Sequence, residues 1–289
     1  MGVDGLLNIN KRAGFSSFST VARVRRLTGE KKVGHAGTLD PMATGVLPIG
    51  LGAGTRVLPY LLEHSKLYRA EIELGASTDT CDAQGCVVSR ADPSNVTEED
   101  VREALKAFEG EVWQRPPVYC ALKSGGQPLY SLARKGHPPS PLPRRVRVYS
   151  IRLVSFEVPL IVLEAEVGRG FYLRSMAQDL GETLGCGAFL RGLVRLRYGP
   201  FLLEDSLPPD GDLLAHLLPL DLPLQGLPPV ELGEKDVSAL HRRGLLPVYA
   251  GLPPGERFRA YREGAFLGVL RRRGDLVVPE RLFLPNLQK

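Results

Sequence analysis

The segment Gly34-His-Ala-Gly-Thr-Leu-Asp-Pro-Met-Ala-Thr-Gly-Val-Leu-Pro-Ile-Gly50 determines more of the expected structure than any other part of this 289-residue chain. Its glycines and prolines are too frequent for a regular helix or strand, so a loop is expected. One carboxylate, Asp40, precedes a proline, which keeps Asp40 out of the helical region and stiffens the backbone after it. A stiff loop that fixes one acid suits a nucleophile or a general base. The local pattern alone favours a surface turn, because Asp-Pro is a common turn dipeptide.

Helices and strands are predicted on both sides of this loop from the spacing of apolar residues. The first helix starts at a cap, Ser16 or Ser17, and stops at Gly29. Its predicted apolar face consists of Phe18, Val21, Ala22 and Val24. The other predicted helices cover residues 97–110, 171–184 and 234–243, and the predicted strands cover 5–9, 67–74, 146–158, 161–167, 266–271 and 276–279. Residues 111–145 show no sustained periodicity and are expected to form a long functional loop.

Composition and charge limit the function classes. The chain carries a formal net charge of +5, has a pI of about 9.1 and is 43% hydrophobic. The basic balance suits a polyanionic partner, and the apolar content is enough for one large and one small domain. Residues 208–229 are dense in proline, leucine and aspartate. They mark the boundary between two predicted domains, 1–225 and 230–289.

The positions of cysteine and histidine argue against a metal site. Cys81, Cys86, Cys120 and Cys186 form no Cys-x-x-Cys pair, and the five histidines are scattered without ligand spacing. No signal peptide or membrane-spanning run is recognisable. The expectation is a reduced, cytoplasmic protein without a metal.

The loop of residues 34–48 resembles the signature loop of the bacterial tRNA pseudouridine-55 synthases. The resemblance implies that Asp40 is the catalytic residue in the isomerisation of an RNA uridine. This reaction breaks the N-glycosidic bond, rotates the base and rejoins it through carbon, after the base has left its stack. No redox step occurs, so no cofactor is expected. Attack on the pyrimidine ring and attack on the sugar are both open.

Two further motifs resemble parts of the same family's active site. In residues 168–181, Arg174 matches an arginine at the start of a helix that pairs with the catalytic aspartate. In residues 66–75, Tyr68 matches a tyrosine that stacks on the target base. Without the motifs, Arg174 would be a surface arginine of an amphipathic helix and Tyr68 an ordinary core tyrosine. Asp82, in a neighbouring motif, is expected to shape a turn.

Three single positions complete the implied site. His35 matches a histidine that occupies the space left by the flipped nucleotide, and a loop-stabilising hydrogen bond is its alternative role. Leu193 matches a leucine that lines the base pocket. Lys11 is followed by Arg12 where the family usually has proline, and it is kept as a structural or RNA-contact residue.

The resemblance extends to parts that would hold RNA. Residues 114–136 resemble the start of an inserted loop, here about 120–145, that grips the T-stem-loop of tRNA. Residues 230–289 resemble a small C-terminal RNA-binding domain. The expected phosphate contacts are Lys123, Arg134, Arg144, Arg145 and Arg147. For each of them singly, a solvated basic loop is the alternative.

The fold implied by the family is a mixed α/β (α+β) domain with a largely antiparallel central sheet and flanking helices, followed by a small β-rich pseudo-barrel. We expect a monomer that acts on tRNA. One rival function is an RNA-binding or RNA-folding protein. The other is a nucleotide-dependent oxidoreductase, suggested by residues 50–55, which lack the third glycine of a dinucleotide-binding loop. Absorbance of the pure protein in the nicotinamide and flavin range discriminates the oxidoreductase.

Overall fold

The computed structural model describes residues 2–120, 122–124, 127–128, 141–248, 252 and 255–283, with the backbone alone at 123–124 and 127–128. The described helices are α1 (Ser17–Thr28), α2 (Glu98–Lys106), α3 (Leu173–Thr183) and α4 (Glu234–Arg243). Among these helices, none has the length and apolarity that crossing a membrane requires.

The strands form two large sheets and two small hairpins. In chain order they are β1 (Gly5–Lys11), β2 (Val33–His35), β3 (Thr44–Leu51), β4 (Lys66–Leu74), β5 (Ala76–Thr78), β6 (Val87–Arg90), β7 (Gly110–Gln114), β8 (Lys123–Ser124), β9 (Gln127–Pro128), β10 (Arg144–Glu157), β11 (Leu160–Val167), β12 (Ala188–Tyr198), β13 (Phe201–Leu202), β14 (Pro229–Glu231), β15 (Leu246–Pro247), β16 (Arg257–Arg262), β17 (Ala265–Arg273) and β18 (Leu276–Leu282).

The larger sheet has the order β1-β3-β12-β4-β11-β10-β7, with β2 added to β3 and β13 added to β12. Its neighbouring strands are antiparallel except β3 and β12, which run parallel over a short contact. The C-terminal sheet has the order β14-β16-β17-β18-β15 and curls on itself. The predicted fold, a largely antiparallel central sheet with flanking helices and a small β-rich C-terminal part, is confirmed.

Strand β4 occupies the middle of the larger sheet because its alternate residues are apolar. Tyr68, Ala70, Ile72 and Leu74 are buried on one face, as predicted. They share one core with buried side chains of α2 and α3. The helices therefore cover this face, and the start of α3 comes close to the strand that carries Tyr68.

Helix α1 has its predicted caps but a different buried face. The Ser16 side chain accepts a hydrogen bond from the Ser19 amide, and Gly29 ends the helix with a φ of 69°. Phe18 is 74% exposed and Ala22 is also exposed, so the predicted apolar face was wrong at these positions. The buried stripe consists of Ser17, Thr20, Val21, Val24 and Thr28. Hydroxyl side chains can be buried there because each donates to a backbone carbonyl.

Part of the region 111–145, predicted as a loop, forms strands instead. Strand β7 pairs with the start of β10, with Gln114 opposite Arg144 and Gly110 opposite Val148. Strand β7 lies at the end of the sheet order and is largely exposed, so it lacks the alternating apolar pattern that would have marked it. Its pairing depends on a partner far along the chain.

The segment before the C-terminal sheet lies along β1. The Leu6 amide donates to the Leu218 carbonyl at 3.0 Å, and the Asn10 amide donates to the Leu207 carbonyl at 2.7 Å. Arg56 then joins the two parts of the chain, because its Nη2 donates to the Leu282 carbonyl at 2.6 Å. A shared apolar cluster also contains residues of both sheets.

Candidate active site

The loop between β2 and β3 carries Asp40, and its neighbours on both sides are fixed. Ser17 of α1 donates to the Leu39 carbonyl at 3.1 Å and accepts from the Leu39 amide at 2.9 Å. The Gly14 amide donates to the Pro41 carbonyl at 2.9 Å. The first helix and the turn before it therefore set the position of Asp40.

The side chain of Lys11 also holds the Asp40 loop in position. Its side chain is fully buried, and its Nζ donates to the carbonyls of Phe15 at 2.6 Å, Arg12 at 3.0 Å and Pro41 at 3.3 Å. Burial lowers the pKa of Lys11 to about 8, against the opposite effect of Asp40. Of the two roles open for Lys11, these contacts support the structural one.

Arg174, the second residue of α3, faces Asp40. Its Nε lies 2.9 Å from Asp40 Oδ2, and its Nη2 donates to Asp40 Oδ1 at 3.2 Å. Nη2 also donates to the Tyr119 carbonyl at 2.9 Å, which fixes the guanidinium plane. The Arg174 side chain is 4% exposed, against 34% for Asp40. The structure thus brings together the two residues that the sequence motifs pair, and leaves the carboxylate open to a cavity.

Asp82 is a second carboxylate beside the same guanidinium. Its Oδ2 lies 3.7 Å from Arg174 Nη1, and its side chain is buried. Its Oδ1 accepts from Thr80 Oγ1 at 2.6 Å and from the Gln84 amide at 3.0 Å. Asp82 therefore shapes a turn, as expected, and also places a negative charge near Asp40, which the sequence did not predict.

Burial and three neighbouring groups act on the pKa of the Asp40 carboxyl group. Burial raises this pKa, the cations Arg174 and Lys11 oppose the rise, and Asp82 adds to it. The net direction is upward from the ordinary value of an aspartate. The ionised form of Asp40 consequently depends on Arg174.

A cavity of about 300 Å³ opens beside the Asp40 carboxylate. Its lining includes Asp40, Tyr68, Phe171, Arg174, Leu193 and Arg195. Two of the residues predicted for a base pocket, Tyr68 and Leu193, therefore lie in one cavity with the Asp40–Arg174 pair. Aromatic and aliphatic walls with a few polar groups suit a planar heterocycle.

Arg195 was missed by the sequence analysis. Its side chain is fully buried, and it donates from Nε to the Val46 carbonyl at 2.6 Å and from Nη2 to the Gly37 carbonyl at 2.9 Å. Its Nη1 lies 3.4 Å from the Tyr68 hydroxyl. Within the described residues, no carboxylate forms an ion pair with it. Arg195 lies two residues after Leu193 in β12, so both side chains face the same, inward side of the sheet. A charged residue at such a position was the sequence signal that could have identified Arg195.

Lys66 extends the positive charge beneath this cavity. Its Nζ lies 4.3 Å from the centre of the Tyr198 ring, and the Arg195 guanidinium carbon lies 5.0 Å from the same ring. Burial, with the nearby charge of Arg195, lowers the pKa of Lys66 to about 8. The base of the cavity is therefore cationic and rich in aromatic faces.

A second cavity of about 750 Å³ shares Asp40 and Arg174 with the first. His35 and Phe18 lie in its lining. Burial and the charge of Arg195 lower the pKa of His35, so neutral imidazole is favoured. Its Nδ1 is buried and has no hydrogen-bond partner among the described residues. His35 thus lines the larger cavity, which Asp40 also lines.

The predicted phosphate-binding residues differ in their surroundings. Arg144 is half-buried, donates to the Gly170 carbonyl at 2.5 Å and stacks 5.1 Å from the Tyr172 ring centre. Arg145 and Arg147 are exposed. Arg145 pairs with an exposed glutamate, and Arg147 stacks over a tyrosine. The Lys123 side chain and the whole of Arg134 lie outside the described residues.

Comparisons with known proteins agree with this geometry. A family model described as TruB family pseudouridylate synthase (N terminal domain) matches residues 25–173. The tRNA pseudouridine synthase B of Dehalococcoides mccartyi (strain CBDB1) is 46% identical over 246 residues, which are 82% of each chain. The protein of the same name from Chromohalobacter salexigens is 42% identical over 278 residues, which are 93% of this chain and 90% of the other.

A solved structure extends the comparison to the whole fold. A chain in the crystal structure of a Cbf5-Nop10-Gar1 complex superposes with a TM-score of 0.74 at 26% identity, covering 97% of this chain and 85% of that one. The paired Asp40 and Arg174, the cavity beside them and the match over more than half of the chain all lead to one assignment: this protein belongs to the TruB family of pseudouridylate synthases.

Proposed function

We propose that this protein isomerises uridine to pseudouridine at position 55 in the T loop of tRNA. The observation that carries the proposal is the Asp40–Arg174 pair, which lies where a cavity lined by Tyr68 meets a larger open one. The relatives compared above are named tRNA pseudouridine synthases, which supports tRNA as the substrate.

In this proposal the Asp40 carboxylate is the nucleophile and Arg174 keeps it ionised. The N1–C1′ bond of the nucleotide breaks, and the C5–C1′ bond forms after the base has turned. The proton lost from C5 is balanced by the proton gained at N1. Attack on the ring and attack on C1′ both require the target nucleotide beside the carboxylate, so the pair serves either route.

Tyr68 supplies a ring face for the base and a hydroxyl for proton transfer. Because Arg195 approaches the Tyr68 oxygen as a donor, the hydroxyl proton is free to point at a group in the cavity. Negative charge develops on the base when its glycosidic bond breaks. Arg195 and Lys66 beneath the cavity favour that charge.

The RNA has to deliver a flipped nucleotide to this cavity. We propose that residues 1–225 form the catalytic domain, that the loop of about 120–145 grips the T-stem-loop, and that residues 230–289 bind RNA. His35 would take the space of the flipped nucleotide. Of the predicted phosphate-contact residues whose side chains the structure describes, Arg145 and Arg147 are the exposed ones.

The experiment is to treat unmodified tRNA with the pure protein and map pseudouridine by mass spectrometry. Wild type should convert position 55, whereas Asp40→Asn should bind the same tRNA without turnover. Asp205→Asn, at an exposed carboxylate, is the control for charge loss and should behave as wild type. Conversion by Asp40→Asn near the wild-type rate would show that Asp40 is not the nucleophile. Conversion by wild type only at positions other than 55 would show that the proposed position is wrong.

A further inference from the structure

Two phenylalanines near the start of α1 face solvent. Phe15 is 52% exposed and Phe18 is 74% exposed. Together with Ala22 and Pro209 they line a groove of about 400 Å³. Large aromatic side chains that stay exposed next to each other indicate a surface built to bind something.

The charges around this groove select the chemistry of its occupant. Arg12, Arg23 and Arg26 also line it. Arg12 and Arg23 both form ion pairs with the same carboxylate, Asp210, so one negative charge is shared by two positive charges. Arg26 adds a third positive charge. The groove therefore keeps an excess of guanidinium groups beside two aromatic rings. Proteins bind unpaired RNA with aromatic rings, on which the bases stack, and with arginines, which contact the phosphates.

The groove adjoins the candidate active site through one shared lining residue. Phe18 also lines the 750 Å³ cavity that contains His35, Asp40 and Arg174. The hydrogen bonds between Ser17 and Leu39 fix the start of α1 against the Asp40 loop. A base that lies on Phe18 is thereby held at a set distance from the nucleophile.

We propose that Phe15 and Phe18 form a stacking platform for an unpaired base adjoining the target uridine, with Arg12, Arg23 and Arg26 holding its phosphates. The identity of the RNA rests on the proposed function. The platform itself rests on the exposure of the two rings, the charge of the three arginines and the presence of Phe18 in the linings of both cavities. Its role is to hold the flanking strand while the target nucleotide enters the cavity.

The test is RNA binding measured with a T-stem-loop oligonucleotide. Phe18→Ala should raise the Kd on the order of tenfold, the scale expected for one lost base stack. Phe18→Trp, which keeps a ring face, should bind as wild type. Leu27→Ala removes another exposed apolar side chain of α1, outside the groove, and should leave the Kd unchanged. The single-turnover rate at saturating RNA should stay near wild type for Leu27→Ala, the variant outside the groove.

A double-mutant cycle identifies the base. Oligonucleotides that lack one unpaired base at a time are titrated against wild type and Phe18→Ala. The proposal requires one position next to the target uridine at which removal of the base weakens binding to the wild-type protein. Removal of the same base should not weaken binding to Phe18→Ala. Equal losses for both proteins at every position would overturn it. A concentration-dependent dimer that Phe18→Ala abolishes would overturn it too, by assigning the groove to a second copy.

Failure of this proposal is separable from failure of the proposed function. Mapping of pseudouridine by the wild-type protein tests the activity and its position independently of Phe18. If wild type converts position 55 and the cycle shows no coupling, the platform alone is wrong. If coupling is seen without conversion, the platform stands and the assigned reaction is wrong.

Discussion

Arg195 lies directly opposite Tyr68 in the pairing of β12 with β4, and its Nη1 is 3.4 Å from the Tyr68 hydroxyl oxygen. The same guanidinium donates to Gly37 in the Asp40 loop and to Val46 in β3. One buried side chain therefore links Tyr68, the loop that carries Asp40 and the strand after that loop. Burying an arginine that has no carboxylate partner costs free energy. The contacts of Arg195 must therefore offset this cost by fixing the positions of the groups that it touches.

Arg195→Lys should lower the single-turnover rate on the order of tenfold to a hundredfold, with a smaller effect on RNA affinity. An ammonium keeps the charge but cannot reach acceptors in three directions, so Tyr68 and the loop lose their fixed spacing. Arg197→Lys is the matched control on the same strand, because Arg197 is half-buried and pairs with Glu166 at 2.7 Å. Single-turnover kinetics and binding titrations check both. Equal rates for the two variants would remove the positioning role from Arg195.

The pH dependence of turnover should shift in opposite directions for the two neighbours of Asp40. If Asp40 is the nucleophile, as proposed, the rate falls as the pH drops through the pKa of Asp40. Removing the cation with Arg174→Gln should raise this pKa and move the acidic limb to higher pH. Removing the like charge with Asp82→Asn should lower the pKa and move the limb to lower pH. Single-turnover rates across acidic and neutral pH measure this, and shifts of the same sign contradict it.

The stability of the fold should depend on the ionisation of Asp40. Its pKa is raised in the folded state, so the charged form destabilises the fold at neutral pH. Asp40→Asn should therefore increase the free energy of unfolding at neutral pH. The advantage should vanish as the pH falls below the pKa of an unfolded aspartate, where both proteins are neutral at this site. Urea unfolding at several pH values is the measurement, with Asp205→Asn as the control that should show no such trend.

The three arginines at the start of β10, Arg144, Arg145 and Arg147, should separate into two groups. Arg145→Gln with Arg147→Gln should weaken tRNA binding and flatten its salt dependence by up to about one unit of log–log slope per lost contact. Arg144→Gln should lower turnover with the slope unchanged, because Arg144 holds Gly170 and Tyr172 at the start of α3. Binding across a salt series, with single-turnover kinetics, distinguishes them. A flatter slope for Arg144→Gln alone would place that residue on the RNA instead.

Local signals predicted the parts of the fold that local chemistry decides. The cap at Ser16 and the left-handed Gly29 are both present, and α2 begins within the helix predicted over residues 97–110. The alternation of β4 was equally readable. By contrast, β7 owes its conformation to a distant partner, and α1 buries serine and threonine, so apolar periodicity pointed to the wrong face at Phe18.

The candidate site shows the same division. Short motifs located Asp40, Tyr68 and Arg174 through their resemblance to a family, whereas local pattern alone favoured ordinary roles for all three. Asp82 and Arg195 act through contacts made only in the folded chain. The sequence placed Asp82 in a turn, and the phase of Arg195 on β12 was a signal for its burial, but neither pattern revealed which side chains they contact.

The tie between Arg195 and Gly37 spans 158 positions of the chain, and that between Arg174 and Asp40 spans 134. Contacts of such long range form slowly, because a large loop must close before they contribute. During synthesis the signature loop leaves the ribosome long before the strand that secures it. On the proposed function, a nascent chain presents the Asp40 loop before its contacts with Arg174 and Arg195 exist, and it becomes active only once β12 has joined the sheet.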